Sequence, residues 1–256
     1  LIFDTVELKS DIFSARDIIR LAGDFRKRSK IILSMRKDKL RDLEELADTL
    51  ADIDFIDIDV QLTKVLESFI KESTAIERKK LIISCHIDSL GENIKALEQS
   101  QKGKIKTLLK CSPIIKSFTE LKQLFSWRQI DPKNRFIFPR SPAGDWQWFR
   151  CLMLHKQNLN FVSDGFSDVL DQPSVLDTFL FDYDFTHFSA VIGNPINHSY
   201  SPAYHFEYMK KRNCPYFRIK IEERDFNNAM DFLESLGLRA ASVTSPFKES
   251  VYRKYQ

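Results

Sequence analysis

The sequence has little glycine, no long apolar run and no block of charge of one sign. Only seven glycines occur in 256 residues, and no GxGxxG motif is present, which excludes a dinucleotide-binding loop of the usual kind. No apolar run approaches the roughly 20 residues that a transmembrane helix needs, and the opening LIFDTVELKSD lacks the basic region of a signal peptide. The net charge is +3, without the basic stripe that is typical of nucleic-acid-binding proteins.

The cysteines also lack the spacing of a metal site or of a disulfide framework. Four of them stand singly along the chain, and no CxxC pair occurs: Cys85, Cys111, Cys151 and Cys214. Single cysteines of this kind are typical of buried thiols in a reducing compartment. We therefore expect a cytoplasmic protein.

Short apolar runs alternate with helix-like amphipathic stretches up to about residue 180. The runs are FDTVEL, KIILSM, DFIDIDV, KLIISC, IKTLLK, RFIFP and LNFVS, and the clearest helical stretches cover 38–50 and 94–100. This alternation indicates parallel βα units, and these units are nearly enough for a (β/α)₈ TIM barrel of about 250 residues. Because the chain opens directly on a strand, we expect the first βα unit to be missing.

After a predicted linker at 180–188 the pattern restarts. It predicts a strand at FSAVIGNP, a helix over 201–212, a strand at YFRIKIEE, a helix over 225–236 and a strand at AASVTSP. The sequence therefore predicts an α/β protein with two domains. The first is a barrel over 1–184, and the second is the N-terminal part of an α/β substrate-binding domain over 185–256.

The first candidate site lies in the second domain. The loop GNPINHSYSP follows an apolar strand and brings the hydroxyls of Ser199 and Ser201 to the start of a predicted helix. Helix N-termini favour anions, so this loop suits a carboxylate; alternatively, Ser201 only caps the helix, with Pro202 at its first position. Further along, VTSPFKES places Thr244 and Lys248 just past a strand end, where ligands bind in open α/β sheets.

A second candidate site is predicted at the ends of the barrel strands, which meet at one face of a barrel. Charged residues recur there: Glu7, Arg36, Asp59, His86 and Lys110. Burial at a strand end would lower the pKa of Lys110 and free its amine to form a Schiff base. His86, at the preceding strand end, could then move protons at a neighbouring carbon. The pair suits dehydration or aldol chemistry, although a single strand-end charge is often structural.

The motifs of the second domain resemble the shikimate dehydrogenase family. GNPINHSYSPAYH and SVTSPFKE are similar to that family's GNPxxHSxSPxxH loop and VTxPxK turn. The resemblance implies that Ser199 and Ser201 bind the shikimate carboxylate, that Thr244 helps to hold a ring hydroxyl, and that Lys248 is the catalytic lysine. The family's glycine-rich NADP loop and partner aspartate would follow downstream. We therefore expect substrate binding without reduction, and no cofactor site in this chain.

The first domain resembles the type I 3-dehydroquinate dehydratases. DTVELKSD, ILSMR, SCHI, LLKCSPIIKSFTEL and LNFVSDGFSDVLDQP are similar to that family's strand motifs. The resemblance implies that Lys110 forms the imine, that His86 is the general acid and base, and that no metal or organic cofactor takes part. It also implies four substrate-binding residues: Glu7, Arg36, Arg150 and Gln172.

The two families are known fused in this order in plants and in chlamydiae. The resemblance therefore implies a shikimate-pathway enzyme, cytoplasmic or plastid-located in a plant, with NADP required by the complete dehydrogenase. Its implied partners are small molecules (3-dehydroquinate, 3-dehydroshikimate and shikimate) rather than nucleic acid or membrane.

Several residues depart from the dehydratase pattern: Lys9, Lys39, Leu40, Asp59, Asp168 and Asp171. Two new acids, Asp168 and Asp171, would repel a carboxylate substrate if they faced it. These departures keep two alternatives open. One is an eroded barrel that serves as a scaffold or binding module, and the other is a different Schiff-base lyase, such as an aldolase. A preference of the second domain for quinate over shikimate also stays open.

Overall fold

A computed structural model describes residues 4–35, 46, 52–62, 80–101, 107–154, 156–163, 168–179 and 185–256 of the chain. These residues group into two compact units. Unit 1 comprises Leu1–Pro113 and Asn134–Phe136, and unit 2 comprises Ile114–Lys133 and Ile137–Gln256. The predicted domain boundary at 184/185 lies within unit 2 and stays a prediction.

Six strands form the first sheet, in sequence order, and the pairings from the first strand to the fifth are parallel. They are β1 (Thr5–Lys9), β2 (Lys30–Met35), β3 (Phe55–Asp59), β4 (Lys80–Cys85), β5 (Thr107–Cys111) and β6 (Arg135–Ile137). Parallel strands added in sequence order are the arrangement of the predicted barrel. The last predicted strand, LNFVS, does not form one, because that stretch carries only an isolated bridge from Ser163 to Ser174.

Between residues 4 and 179, the described part of the chain contains four α-helices: α1 (Ala15–Phe25), α2 (Leu90–Ser100), α3 (Phe118–Ile130) and α4 (Gln147–Met153). The first three begin at serines, Ser14, Ser89 and Ser117, whose side chains each accept a backbone N–H three residues later. Such a cap satisfies one of the free N–H groups at a helix start. The helix predicted at 94–100 is confirmed and starts four residues earlier, whereas all but one residue of the helix predicted at 38–50 lies outside the described residues.

The core of unit 1 lies between the sheet and α1. Ile31, Leu33 and Ile56 of the sheet are fully buried there with Ile18 and Ala22 of the helix. Each buried aliphatic side chain of this size contributes about 1.5–3 kcal/mol relative to an exposed one. Hydrophobic burial therefore fixes which face of each strand turns toward the helix.

The second sheet contains three parallel strands in the order β8, β7, β9. Its elements are β7 (Phe188–Gly193), α5 (Ser201–Lys210), β8 (Tyr216–Lys220), α6 (Phe226–Leu236), β9 (Leu238–Val243) and α7 (Lys248–Lys254). β7 is central and buried at every position, as its uninterrupted apolar sequence requires. The predicted alternation of strands and helices after the linker is confirmed.

Helices α3 and α6 pack against each other within unit 2. The rings of Phe125 and Phe232 lie 5.7 Å apart, edge to face, and the backbone N–H of Phe118 donates to the Asp225 carboxylate at 3.3 Å. That carboxylate lies at the N-terminus of α3, where the helix dipole favours negative charge. The contact joins a helix of the dehydratase-like region to the C-terminal α/β layer.

Candidate active site

The first sheet has one apolar face and one polar face. In-register neighbours of parallel strands point to the same side, and the side alternates along each strand. The pairs Lys9–Ser34, Ser34–Asp57, Asp59–Ser84 and Ser84–Lys110 therefore define one face. By the same alternation this polar face carries Glu7, Lys9, Ser34, Asp57, Asp59, Ser84, His86 and Lys110. The predicted convergence of strand-end charges is thus found for Glu7, Asp59, His86 and Lys110.

Lys110 is buried, with 6% of its surface exposed, as predicted. Its Nζ donates to Asp57 Oδ2 at 2.7 Å and lies 3.8 Å from Glu7 Oε1. Asp57 is completely buried. Its second oxygen, Oδ1, has no hydrogen-bond partner among the described residues, and neither has Glu7 Oε1. The amine is therefore buried near two carboxylates that each have an oxygen with acceptor capacity.

His86 follows the last residue of β4, and its contact with Asp59 places it at the polar face. Its Nδ1 is 3.8 Å from Asp59 Oδ2, and both side chains are roughly one-third exposed or less. The other Asp59 oxygen accepts the backbone N–H of Gln61 at 2.9 Å. Asp59, a departure from the dehydratase pattern, thus faces the predicted acid–base residue and can orient its ring.

Asp57 was not singled out from the sequence, although it makes the shortest contact to Lys110. The signal was present in DFIDIDV, where Asp57 and Asp59 are two residues apart and so share a strand face. The prediction rested on charged residues at strand ends, and Asp57 lies in the middle of its strand.

The other predicted dehydratase residues lie elsewhere. Arg36, with Lys39 and Leu40, falls outside the described residues. Arg150 and Gln172 belong to unit 2. Arg150 is buried, its guanidinium lies 5.4 Å from the centre of the Phe138 ring, and burial lowers its pKa to about 10.

Asp171 is engaged by a loop of unit 2. It is fully buried and accepts the backbone N–H of Ser141, the Ser141 hydroxyl at 3.1 Å and the backbone N–H of Trp146 at 2.7 Å. Burial raises the pKa of Asp171. These contacts give this departure a structural role in holding the divergent RSPAGDW loop. Asp168, in contrast, is exposed.

The serine pair of the second candidate site is assembled at the start of α5. Ser199 Oγ donates to Ser201 Oγ at 3.2 Å, and the Ser201 backbone N–H points back to Ser199 Oγ at 3.3 Å. The helix begins at Ser201, with Tyr200 at the cap position and no side-chain cap. Ser201 therefore does not occupy the cap position that the alternative gave it. The half-buried hydroxyls of Ser199, in the loop, and Ser201, in the first turn, lie beside the N–H groups at the helix start.

The two motifs of unit 2 are held together by close packing at the end of β7. The Thr244 N–H donates to the Ile192 carbonyl at 2.9 Å, and the Asn194 N–H donates to the Ser245 carbonyl at 3.1 Å. A Cβ on Gly193 would lie 2.3 Å from Thr244 Cγ2, so only glycine fits there. Lys248 follows as the first residue of α7, where it is exposed.

A cavity of about 400 Å³ opens beside this loop within unit 2, and it contains none of the four predicted residues of the dehydrogenase motifs. Its wall includes Trp148, Ile196, Arg218 and Lys220. Arg218 Nε donates to the Ser199 carbonyl at 2.8 Å. This hydrogen bond connects the cavity wall to the backbone of the serine loop.

Within the described ranges, no group of three or more His, Cys, Asp or Glu side chains is arranged to hold a metal ion. None of the helices seen there is long and apolar enough to cross a membrane. All four cysteines are described and free, and three of them are buried, which confirms the expectation of single thiols. Burial raises the pKa of Cys111 and of Cys151, so both thiols are poor nucleophiles.

Known proteins are similar to both parts of the chain. Residues 191–255 match the model of the shikimate dehydrogenase substrate binding domain family. The 3-dehydroquinate dehydratase of Aquifex aeolicus VF5 is similar in structure, with 20% identity and a TM-score of 0.50, over 67% of this chain and 82% of that one. The type I 3-dehydroquinate dehydratase of Clostridium difficile, solved with covalent modified comenic acid, gives 16% identity and a TM-score of 0.54, over 68% and 78%.

At these identities the likeness establishes the fold. The predicted α/β fold class is confirmed, with a parallel sheet like that of type I dehydratases followed by a shikimate dehydrogenase substrate-binding domain. The comparisons thus show a dehydratase-like fold and, over residues 191–255, a match to the shikimate dehydrogenase substrate binding domain.

Proposed function

We propose that this chain is a shikimate-pathway enzyme that dehydrates 3-dehydroquinate to 3-dehydroshikimate through an imine on Lys110. The buried Lys110 amine, on the same sheet face as His86 and between Glu7 and Asp57, is the observation that carries the proposal. A lysine amine held at such a position can attack a ketone to form an imine.

The chemistry follows from the imine. A protonated imine acidifies the neighbouring C–H bond, so a base can remove that proton while the hydroxyl on the next carbon leaves as water. His86 suits this proton transfer because an imidazole titrates near neutral pH. Glu7 would accept a substrate hydroxyl. The substrate-binding roles implied for Arg36, Arg150 and Gln172 stay predictions.

Borohydride trapping tests the proposal directly. The chain is incubated with 3-dehydroquinate and borohydride, and the adduct is mapped by mass spectrometry. We expect it on Lys110, and we expect Lys110→Met to abolish it while keeping most of the buried volume. Lys116→Ala, which changes an exposed lysine after the same strand, is the matched control and should retain the adduct.

The outcomes separate the alternatives. If folded protein gives no adduct with any carbonyl compound, the barrel is an eroded scaffold. Adducts on Lys110 with other ketones or aldehydes, but none with 3-dehydroquinate, would indicate a different Schiff-base lyase.

For the second domain we propose binding of shikimate or 3-dehydroshikimate at the Ser199–Ser201 loop and Thr244. A carboxylate would accept hydrogen bonds from the serine hydroxyls and the first N–H groups of α5. Loss of one hydroxyl bonded to a charged group costs about 1.5–3 kcal/mol, so Ser199→Ala should weaken binding roughly 10- to 150-fold in calorimetric titration. Ser250→Ala, at an exposed position of α7, should bind like the wild type. Titration with quinate decides between the two acids.

NADP, the cofactor that the dehydrogenase family implies, does not fit the described residues. The glycine after β7, Gly193, faces Thr244 so closely that a Cβ would lie 2.3 Å from its methyl group. That strand end therefore offers no open glycine cradle to a pyrophosphate. We derive no hydride transfer from these residues, and Lys248 keeps its catalytic role only as a prediction.

A further inference from the structure

Lys110 has two carboxylate neighbours, and their distances differ. Asp57 Oδ2 is 2.7 Å from Nζ, within hydrogen-bond range, while Glu7 Oε1 is 3.8 Å away. Asp57 is completely buried, and Glu7 is 15% exposed. Of these two carboxylates, Asp57 is therefore the closer charge partner of the amine.

Imine formation sharpens this difference. A lysine ammonium carries three N–H donors, whereas a protonated imine carries only one. The imine can thus keep a single hydrogen bond, and the acceptor already at 2.7 Å is placed to retain it. Glu7 would be released to accept a hydrogen bond from substrate.

We propose that Asp57 is the counter-ion of Lys110 in both the ammonium and the imine-bound state, and that it shuttles the proton that imine formation requires. This assignment rests on the proposed dehydratase function for the imine step. The ion pair itself stands independently of the substrate.

The proton balance supports a single shuttle group. Asp57 takes one proton from the ammonium, and the free amine forms the C–N bond. The carbonyl oxygen takes the proton that the attacking nitrogen then releases and becomes the hydroxyl of a carbinolamine. The C–O bond then breaks, and the leaving hydroxyl takes the proton back from Asp57 to depart as water. The net change converts one ammonium and one carbonyl into one protonated imine and one water, with the Asp57 carboxylate restored.

The test compares Asp57→Asn with Glu7→Gln, which removes the more distant charge. Among the described residues, Asp57 from β3 and Glu7 from β1 are within 4 Å of the Lys110 amine, and His86 beyond β4 lies 3.8 Å from Asp59. Removing a nearby carboxylate disfavours protonated nitrogen, so Asp57→Asn should lower kcat for 3-dehydroquinate at pH 7.5 at least about 10-fold and move the optimum to lower pH. KM should change little. Glu7→Gln should mainly raise KM, and Gln99→Ala, at an exposed position of α2, should keep kcat within about twofold.

A substrate-free measurement separates the two proposals. Lysines are reductively methylated with ¹³C-formaldehyde and cyanoborohydride, and the Lys110 signal is titrated by NMR. Its midpoint should fall to lower pH in Asp57→Asn, by more than in Glu7→Gln. Equal midpoints in the wild type and Asp57→Asn would refute the assignment of Asp57 as the counter-ion, even if borohydride traps 3-dehydroquinate on Lys110. A lower midpoint in Asp57→Asn without any 3-dehydroquinate adduct would support the Lys110–Asp57 ion pair. The same result would refute both the dehydratase function and the proton shuttle.

A folding control keeps the test decisive. If Asp57→Asn does not fold, the Asp57→Asn/Lys110→Met double variant should, because no uncompensated buried charge remains. Failure of the double variant to regain stability over Asp57→Asn would also overturn the pairing.

Discussion

Substitution of Gly193 by alanine probes the packing that joins the two dehydrogenase-like motifs. The new Cβ would lie 2.3 Å from Thr244 Cγ2 and 3.2 Å from the Ser245 carbonyl, so the turn must move away from β7. Overpacking costs about 1–3 kcal/mol, and each of the two backbone hydrogen bonds at this strand end contributes about 1 kcal/mol. The free energy of unfolding of unit 2 should fall by about 2–4 kcal/mol.

Tryptophan fluorescence during urea unfolding reports this change selectively. Trp127, Trp146 and Trp148 are the three tryptophans of the chain, and all belong to unit 2. The Trp148 ring lies 6.2 Å from Phe188, the first residue of β7. The transition midpoint should therefore move to lower urea with an unchanged slope. Gly91→Ala is the control, because no atom lies within 4 Å of a Cβ there.

A compensating substitution makes the reasoning refutable. Thr244→Ser removes the methyl group that the new Cβ would meet, so it should recover more than half of the stability lost in Gly193→Ala. The interaction energy of the double-mutant cycle should be about 1–2 kcal/mol. Additive losses in the double variant would show that the close approach at Gly193 does not limit this strand end.

Three further substitutions test local features of the fold by the same unfolding assay. Ser117→Ala should cost about 1 kcal/mol, because the Glu120 N–H loses the cap of α3, and an unchanged midpoint would contradict the cap. Gly237→Ala should cost about 1–3 kcal/mol, since φ is +105° and its Cβ would lie 2.7 Å from the Thr186 carbonyl; a neutral result would contradict this strain. Burial raises the pKa of Asp171 above its ordinary 3.8, so its contribution is full below that pH and decreases as the pH rises through the folded pKa. The stability advantage of the wild type over Asp171→Asn should therefore shrink as the pH rises above about 4, and an advantage that grows would contradict this prediction.

The strands were the most predictable part of the fold. Runs such as KIILSM and FSAVIG bury apolar side chains, and a short run of this kind has few alternatives to a strand. LNFVS failed as a strand because a short apolar run says nothing about its pairing partner, and here only Ser163 bridges to Ser174. The pairing of a strand depends on tertiary contacts, which the sequence of the run alone does not specify.

The candidate site was only partly predictable for a related reason. Strand ends indicated Glu7, His86 and Lys110, since charged residues there have few structural explanations. The role of Asp57 depends on strand register, which aligns it with Ser34 and Ile82 on the neighbouring strands. The dehydratase-like motif places Asp171 next to a predicted substrate-binding residue. In the structure, three donors of the Ser141–Trp146 loop form hydrogen bonds with it instead. Motif spacing predicts where a side chain lies along the chain, but its role depends on the residues that it contacts in the folded structure.

The cost of the buried charges distinguishes an active site from a scaffold. Removing an ion pair from water costs several kcal/mol per ion, and apolar replacements are often equally or more stable. Lys110 and Asp57 are buried as a pair, and acceptor oxygens of Asp57 and Glu7 lack hydrogen bonds among the described residues. An eroded barrel that served only as a scaffold would fold better with apolar residues on this sheet face. A buried amine, a carboxylate at 2.7 Å and acceptor oxygens without hydrogen bonds among the described residues suit imine chemistry on a hydroxylated ketone, so the cluster favours catalysis over a purely structural role.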